Sequence, residues 1–317
     1  MNKLLWISFL CVLMVVAGTA CKNENAPENK TVQKRHLTIR MQDSAGVPIR
    51  HINKATITDE GATLISEWTK GDIASYCNLS RQAGHYYDPI EDEEVYTLYT
   101  GLLTADTTGR KSNLVGDAEC TAEDWLAVVY PANYTFEYTS AGTQYSYTFP
   151  LAEQDGTLER LATHYNQQYG RARVLLVEDK TAEAVMEIMQ PLLTICKFSF
   201  VDAATEAHIP VGTLSISYKD ATTENDKYPQ AGKVTVTVLD ENHEVKAEKN
   251  EVNVTEPLTV TCPSEMDEVY VAMMPTIASR TYTFTVTNST GTYSGTASAL
   301  LNKGEYVPAT GLKLTKD

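Results

Sequence analysis

The sequence has few basic residues for its length. It carries 26 lysines and arginines against 41 aspartates and glutamates, which gives a formal net charge of −15 over 317 residues. An acidic surface of this kind excludes charge-driven binding to nucleic acid or to an anionic membrane. We therefore expect no nucleic-acid partner.

Recognisable catalytic and metal-binding motifs are missing as well. The sequence contains no G-x-S-x-G elbow, no H-E-x-x-H, no P-loop and no G-x-G-x-x-G turn. Its six histidines are scattered, and none has a histidine or cysteine at zinc-ligand spacing. Two acidic runs, residues 88–94 and 220–226, lack the spacing and central glycine of a calcium loop, so they are interpreted as solvated loops. We expect no enzyme, no catalytic residue, no metal site and no cofactor.

The six cysteines include no C-x-x-C pair. Cys77, Cys120, Cys196 and Cys262 are widely spaced along the chain. In an exported protein they can form two disulfides, in any of three connectivities. They can equally remain buried thiols that act as small hydrophobic residues. The sequence leaves both alternatives open.

Only one long apolar run is present, and it lies at the N-terminus. Lys3 precedes the uncharged residues 4–16, and the small residues 17–20 lead directly to Cys21. This order predicts a secretory signal peptide over residues 1–20, because the run is too short for a spanning helix. A cysteine at this place looks like the lipobox of a bacterial lipoprotein, which predicts lipidation of Cys21. The alternative is a secreted protein without lipid. Residues 21–35 are predicted to be a polar tether.

Alternating apolar and polar residues dominate the rest of the chain. Residues 36–41, 213–218 and 233–239 each place apolar side chains on one face of a strand. Strands at this regular spacing predict an all-β fold of two β-sandwich domains with Greek-key connections. The predicted boundaries are residues 36–204 and 205–317.

Two short helices are also predicted. In residues 157–169 the apolar side chains share one helical face, and Gly170 ends the segment. In residues 181–190 the apolar residues Ala182, Val185, Met186 and Met189 share a face, and Pro191 ends the segment. A strand through residues 186–189 is the rival interpretation.

The eighteen tyrosines and three tryptophans raise the alternative of a carbohydrate-stacking surface. Tyrosine is also an ordinary strand residue that packs across strands, which is the favoured interpretation. A glycan-binding surface lipoprotein of a polysaccharide-uptake system therefore remains the rival function.

Several segments resemble the fimbrillin-like (Mfa-like) lipoproteins of Bacteroidetes, the subunits of type V pili. The resemblance begins with the lipoprotein signal and extends over most of the chain. It is carried by residues 68–76 (WTKGDIASY), 125–131 (WLAVVYP), 154–158 (QDGTL), 191–200 (PLLTICKFSF) and 301–306 (LNKGEY). The histidine often found in the fourth segment is absent, and the tyrosine of the last lies one place early.

The resemblance implies a mechanical function for two transthyretin-like domains at the outer membrane or in a fimbrium. Subunits of the family lose an N-terminal segment after an arginine, and a strand of the next subunit fills the groove. The candidate cleavage points are Arg35, Arg40 and Arg50, with Arg50 favoured because it follows the first strand and a turn. The segment from Glu305 to Asp317 is the candidate donor strand, or else an ordinary last strand. Implied partners are other pilins, the membrane through the lipid, and a host protein or glycan.

Overall fold

The computed structural model describes residues 32–41, 56–61, 64–90, 92–109, 111–133, 135–139, 144–186, 189–218, 232–238, 245–249 and 257–317. The predicted signal peptide, Cys21 and Arg50 lie outside these residues. Within the described ranges, no helix combines the length and the apolar character needed to cross a membrane.

The first sheet closes on itself. Its strands follow one another in the order β11 (Thr181–Met186), β1 (Gln33–Met41), β6 (Leu114–Cys120), β5 (Glu93–Ala105), β4 (Ile73–Asp88), β7 (Trp125–Tyr130) and β10 (Gln168–Val177). Strand β10 pairs back onto β11, so the ring is complete, and β12 (Gln190–Pro191) pairs with β10 beside it. Strand β1 is parallel to β11, and the other pairs in the ring are antiparallel. We refer to this ring as the barrel.

Inward-pointing side chains fill the barrel because successive residues of a strand point to opposite faces. Leu37, Tyr76 and Leu103 are fully buried, as is Leu114 on the neighbouring β6. Trp68 lies edge-on to Tyr130, with ring centroids 5.1 Å apart. These contacts form one continuous core.

A second, four-stranded sheet packs on the outside of barrel strands β4 and β7. Its order is β17 (Val245–Lys249), β16 (Lys233–Val238), β9 (Gln144–Pro150) and β8 (Glu137–Thr139). Tyr147, Phe149 and Val236 share a core with Cys77 and Val129 of the barrel. Strand β9 precedes the predicted domain boundary between residues 204 and 205, and its partner β16 follows it, so this sheet contains residues from both sides of that boundary.

A third sheet holds most of the C-terminal part. Its order is β14 (His208–Ile209), β13 (Thr194–Asp202), β22 (Tyr306–Lys316), β21 (Gly291–Ala299), β20 (Arg280–Asn288), β15 (Val211–Tyr218) and β18 (Leu258–Met266), with β19 (Val269–Met273) also paired to β13. Phe198 and Phe200 of β13 contact Phe284 of β20 in its core. The all-β prediction with two β-domains is confirmed.

The two predicted helices have different outcomes in the structure. Helix α1 (Leu158–Arg160) begins as predicted, where the Thr157 side chain accepts a hydrogen bond from the Arg160 amide, and it continues as a π-helical turn (Leu161–Tyr165). The predicted end at residue 169 is wrong, because residues 168–170 already belong to strand β10. The predicted helix over residues 181–190 is wrong. These residues begin with strand β11, which buries every second side chain and pairs on both sides.

Candidate functional site

Strand β1 lies between two partners along nearly its whole length. Residues 36–41 pair with β11, and residues 33–39 pair with β6. The side chains of Leu37 and Ile39 have no solvent exposure. The first described strand of the chain is therefore an internal strand of the barrel. Its backbone is hydrogen-bonded to a neighbouring strand on each side, and its apolar side chains are buried in the core.

Arg35 lies inside the structure rather than on its surface. It is 9% exposed. Its Nε donates to the Glu178 carbonyl oxygen at 2.9 Å and its Nη1 to the Cys120 carbonyl oxygen at 2.6 Å. The guanidinium thus bridges a carbonyl group at the end of β6 and one in the turn between β10 and β11.

Arg40 differs from Arg35 in its exposure. Its Nη2 lies 2.9 Å from Glu183 Oε1 on β11, and both side chains are about half exposed. Its backbone is nevertheless paired within the barrel. Arg50, the third candidate cleavage point, lies outside the described residues.

The candidate donor segment forms strand β22 of this chain. It runs parallel to β13, and its last residues pair with the beginning of β21. Leu314 is buried in the core of the third sheet, and Leu312 packs against that core. In this arrangement β22 occupies the place of an ordinary last strand.

A polar cluster connects the small hairpin after β1 to the third sheet. The hairpin consists of β2 (Thr56–Asp59) and β3 (Leu64–Glu67). Lys197 Nζ on β13 lies 2.7 Å from Asp59 Oδ2 and 2.9 Å from Glu268 Oε2. The Tyr270 hydroxyl donates to the same Asp59 oxygen at 2.7 Å, and the Gly61 amide donates to Oδ1 at 2.7 Å. We call Asp59, Lys197, Glu268 and Tyr270 the hairpin cluster.

The ionisation of the hairpin cluster follows from its contacts. Burial raises the pKa of Asp59, but hydrogen bonds from Lys197, Tyr270 and Gly61 outweigh it and bring the pKa down to about 2. Burial likewise lowers the pKa of Lys197, and its bonds to Asp59 and Glu268 outweigh that effect and raise it. Burial, then the bond to Asp59, raises the pKa of Tyr270 to about 12. The pair is therefore a carboxylate and an ammonium held in contact.

Sequence reasoning missed the hairpin cluster. Asp59, Lys197 and the neighbouring residues Glu268 and Tyr270 come from three parts of the chain that are far apart in the sequence, so no local spacing could indicate that they meet.

The four cysteines of the described chain are free thiols, and all four are buried. Burial raises the pKa of Cys77 and Cys196, and it raises the pKa of Cys120 and Cys262 to about 11. Of the two alternatives that the sequence leaves open, disulfides or buried thiols, the structure has buried thiols.

Among the residues that the structure describes, the most exposed aromatic side chains lie at the far end of the β4–β5 hairpin. Tyr86 and Tyr87 are 55% and 53% exposed, and Ile90 beyond them is 88% exposed. Consecutive strand residues point to opposite faces, so the two tyrosines do not form one flat platform. Within the described ranges, no group of three or more histidine, cysteine or acidic residues is arranged to hold a metal ion.

No family model matches the chain, and no curated protein matches it either. Solved structures with similar folds include two described as candidate cell adhesion proteins. The one from Bacteroides ovatus has 12% identity over 90% of this chain and 96% of its own, with a TM-score of 0.47. The one from Bacteroides uniformis has 13% identity over 87% and 98%, with a TM-score of 0.42.

A third similar structure is the shaft pilin SpaA from Lactobacillus rhamnosus GG. It has 14% identity over 90% of this chain and 98% of its own, with a TM-score of 0.30. Identities and TM-scores at this level assign no function to this chain.

Proposed function

We propose that this chain is a cell-surface lipoprotein that acts as a fimbrial subunit, or as an accessory or anchor protein of a fimbria, and assembles by strand exchange. The observation that carries the proposal is the position of β1, an internal barrel strand that precedes the segment containing Arg50. In this proposal the protein has no catalytic activity, and the outer membrane holds it through lipid on Cys21.

Loss of β1 would create a binding groove. The facing edges of β6 and β11 would each present unpaired N–H and C=O groups, which bind an added strand readily. The positions of Leu37 and Ile39, both fully buried, would become two empty apolar pockets. An incoming strand would therefore need apolar residues two positions apart.

The last strand of the chain has the side-chain pattern that such a groove requires. Leu312, Lys313 and Leu314 place apolar residues two apart around a polar one, as Leu37, Thr38 and Ile39 do in β1. Because alternate side chains set the register of an added strand, β22 of one subunit could replace β1 of another. Such exchange requires β22 to leave its own sheet.

Cleavage after Arg50 fits this proposal better than cleavage at the other two arginines. A protease binds its substrate as an extended, unpaired segment, and both Arg35 and Arg40 lie within paired strand. The guanidinium of Arg35 is also buried. A cut after Arg50 would leave β1 on the N-terminal piece.

Limited digestion of the acylated precursor with an arginine-specific protease tests the proposal. We expect one early cut, an N-terminal piece that ends at Arg50, and a stable core that begins at residue 51. Arg50→Gln should abolish this early cut, whereas the matched variant Arg40→Gln should leave it unchanged. Progressive digestion without a stable core would contradict the proposal.

The mature form on cells separates the proposed roles. Mass spectrometry of surface-extracted protein should find an N-terminus at residue 51 in detergent-resistant ladders if the chain polymerises. An acylated Cys21 on a monomer would favour an anchor. Binding of soluble glycans by that monomer would instead favour the rival polysaccharide-uptake function.

A further inference from the structure

We propose that the hairpin cluster is a self-modifying site, in which an amide bond forms between Lys197 Nζ and Asp59 Cγ and joins the β2–β3 hairpin covalently to strand β13. This inference is independent of whether the chain polymerises, because the residues of the cluster all lie after the cleavage candidates.

The two reacting groups are already held in contact. Lys197 Nζ lies 2.7 Å from Asp59 Oδ2, and each of the two side chains is 11% exposed. Strand β13 is fixed between β19 and β22, so Lys197 reaches Asp59 from a rigid element. Groups positioned in this way react as if at a very high local concentration.

The surrounding atoms match the needs of the reaction. Glu268 Oε2, 2.9 Å from Lys197 Nζ, is within reach to accept a proton from the ammonium, which the amine must lose before it can attack. The Gly61 amide donates to Asp59 Oδ1 and stabilises the charge that develops there during attack. The Tyr270 hydroxyl donates to Oδ2, the oxygen that leaves.

The step balances without any further reactant. The nitrogen of Lys197 forms a bond to Asp59 Cγ, and the bond from Cγ to Oδ2 breaks. Of the three ammonium protons, one stays on the amide nitrogen. The other two pass by way of Glu268 to Oδ2, which departs as water. One ammonium and one carboxylate are thus converted into one neutral amide and one water molecule.

Burial favours the product. The reactants are two charges in a largely water-excluded place, and such charges carry a desolvation cost that their mutual attraction only partly offsets. The amide has no net charge.

The mass of the purified protein under denaturing conditions tests the proposal directly. We expect a mass lower than the sequence mass by one water molecule. Digestion with trypsin should give one branched peptide, in which residues 55–70 are attached through Lys197 to residues 181–219, because trypsin does not cleave after an acylated lysine. A cyclised aspartate loses the same mass but leaves two linear peptides.

Two variants assign the roles. Lys197→Arg keeps the positive charge and the ion pair but has no amine that can attack, so it should show the full sequence mass. Glu268→Gln should slow formation of the branched peptide during incubation. A wild-type protein of full mass, with residues 55–70 recovered as a linear peptide, would overturn the proposal and leave an ion pair only.

Discussion

Truncation of Ile39 to alanine should destabilise the uncleaved protein strongly. The side chain is fully buried and lies between Leu114 of β6 and Ala184 of β11, its partners in register. Replacing a buried isoleucine by alanine lowers the free energy of unfolding by about 2–5 kcal/mol, with the larger values where the surroundings cannot collapse into the cavity. Because β1 is held on both edges, we expect about 3–5 kcal/mol at this site.

Urea denaturation followed by tryptophan fluorescence measures this change. Trp68, which is 1% exposed, belongs to the same core as Ile39 and reports on the barrel. The matched control is Arg40→Ala in the next position of β1, which removes an exposed ion pair and should cost about 0–1 kcal/mol. A loss below about 1 kcal/mol for Ile39→Ala would refute the view that β1 completes the barrel core.

Two further changes test the packing and the redox state. Gly116→Ala in β6 should lower the free energy of unfolding by about 1–3 kcal/mol, because the new Cβ would lie 2.5 Å from the Leu102 carbonyl oxygen, a backbone atom that cannot move aside. A variant as stable as wild type in the same urea assay would contradict this close approach. In the folded protein the four buried thiols should resist iodoacetamide at pH 8, because burial raises the pKa of each: Cys77, Cys120, Cys196 and Cys262. All four should react in denaturant. Failure to react there would indicate disulfides.

Local patterns in the sequence predict the strands well, because alternation needs only neighbouring residues. The prediction for residues 233–239 corresponds to β16, and the predictions for residues 36–41 and 213–218 lie within β1 and β15. The error at residues 181–190 has a physical cause. Ala182 and Met186 satisfy both a helical and an alternating period, and the short run gives no means to choose between them.

Long-range pairing could not be predicted from these patterns. The closure of the barrel depends on β1 and β11, which pair across more than one hundred residues of sequence. The burial of Arg35 could not be predicted for the same reason, because the carbonyl groups that accept its hydrogen bonds belong to residues 120 and 178, far from it in sequence. The cleavage candidates could be listed from the sequence, but their accessibility could be judged only from the strand that contains them.

The hairpin cluster has a mechanical consequence. In a subunit cut after Arg50, β2 is the first described strand, and a pull on the new N-terminal end reaches Asp59 through it. From Asp59 it passes to Lys197 on β13, which pairs in register with Pro308 of the terminal strand β22. Tension between the two ends of such a subunit therefore passes through one side-chain link and one pair of strands. Strands β4 to β11, which lie between β2 and β13 in sequence, carry little of this tension.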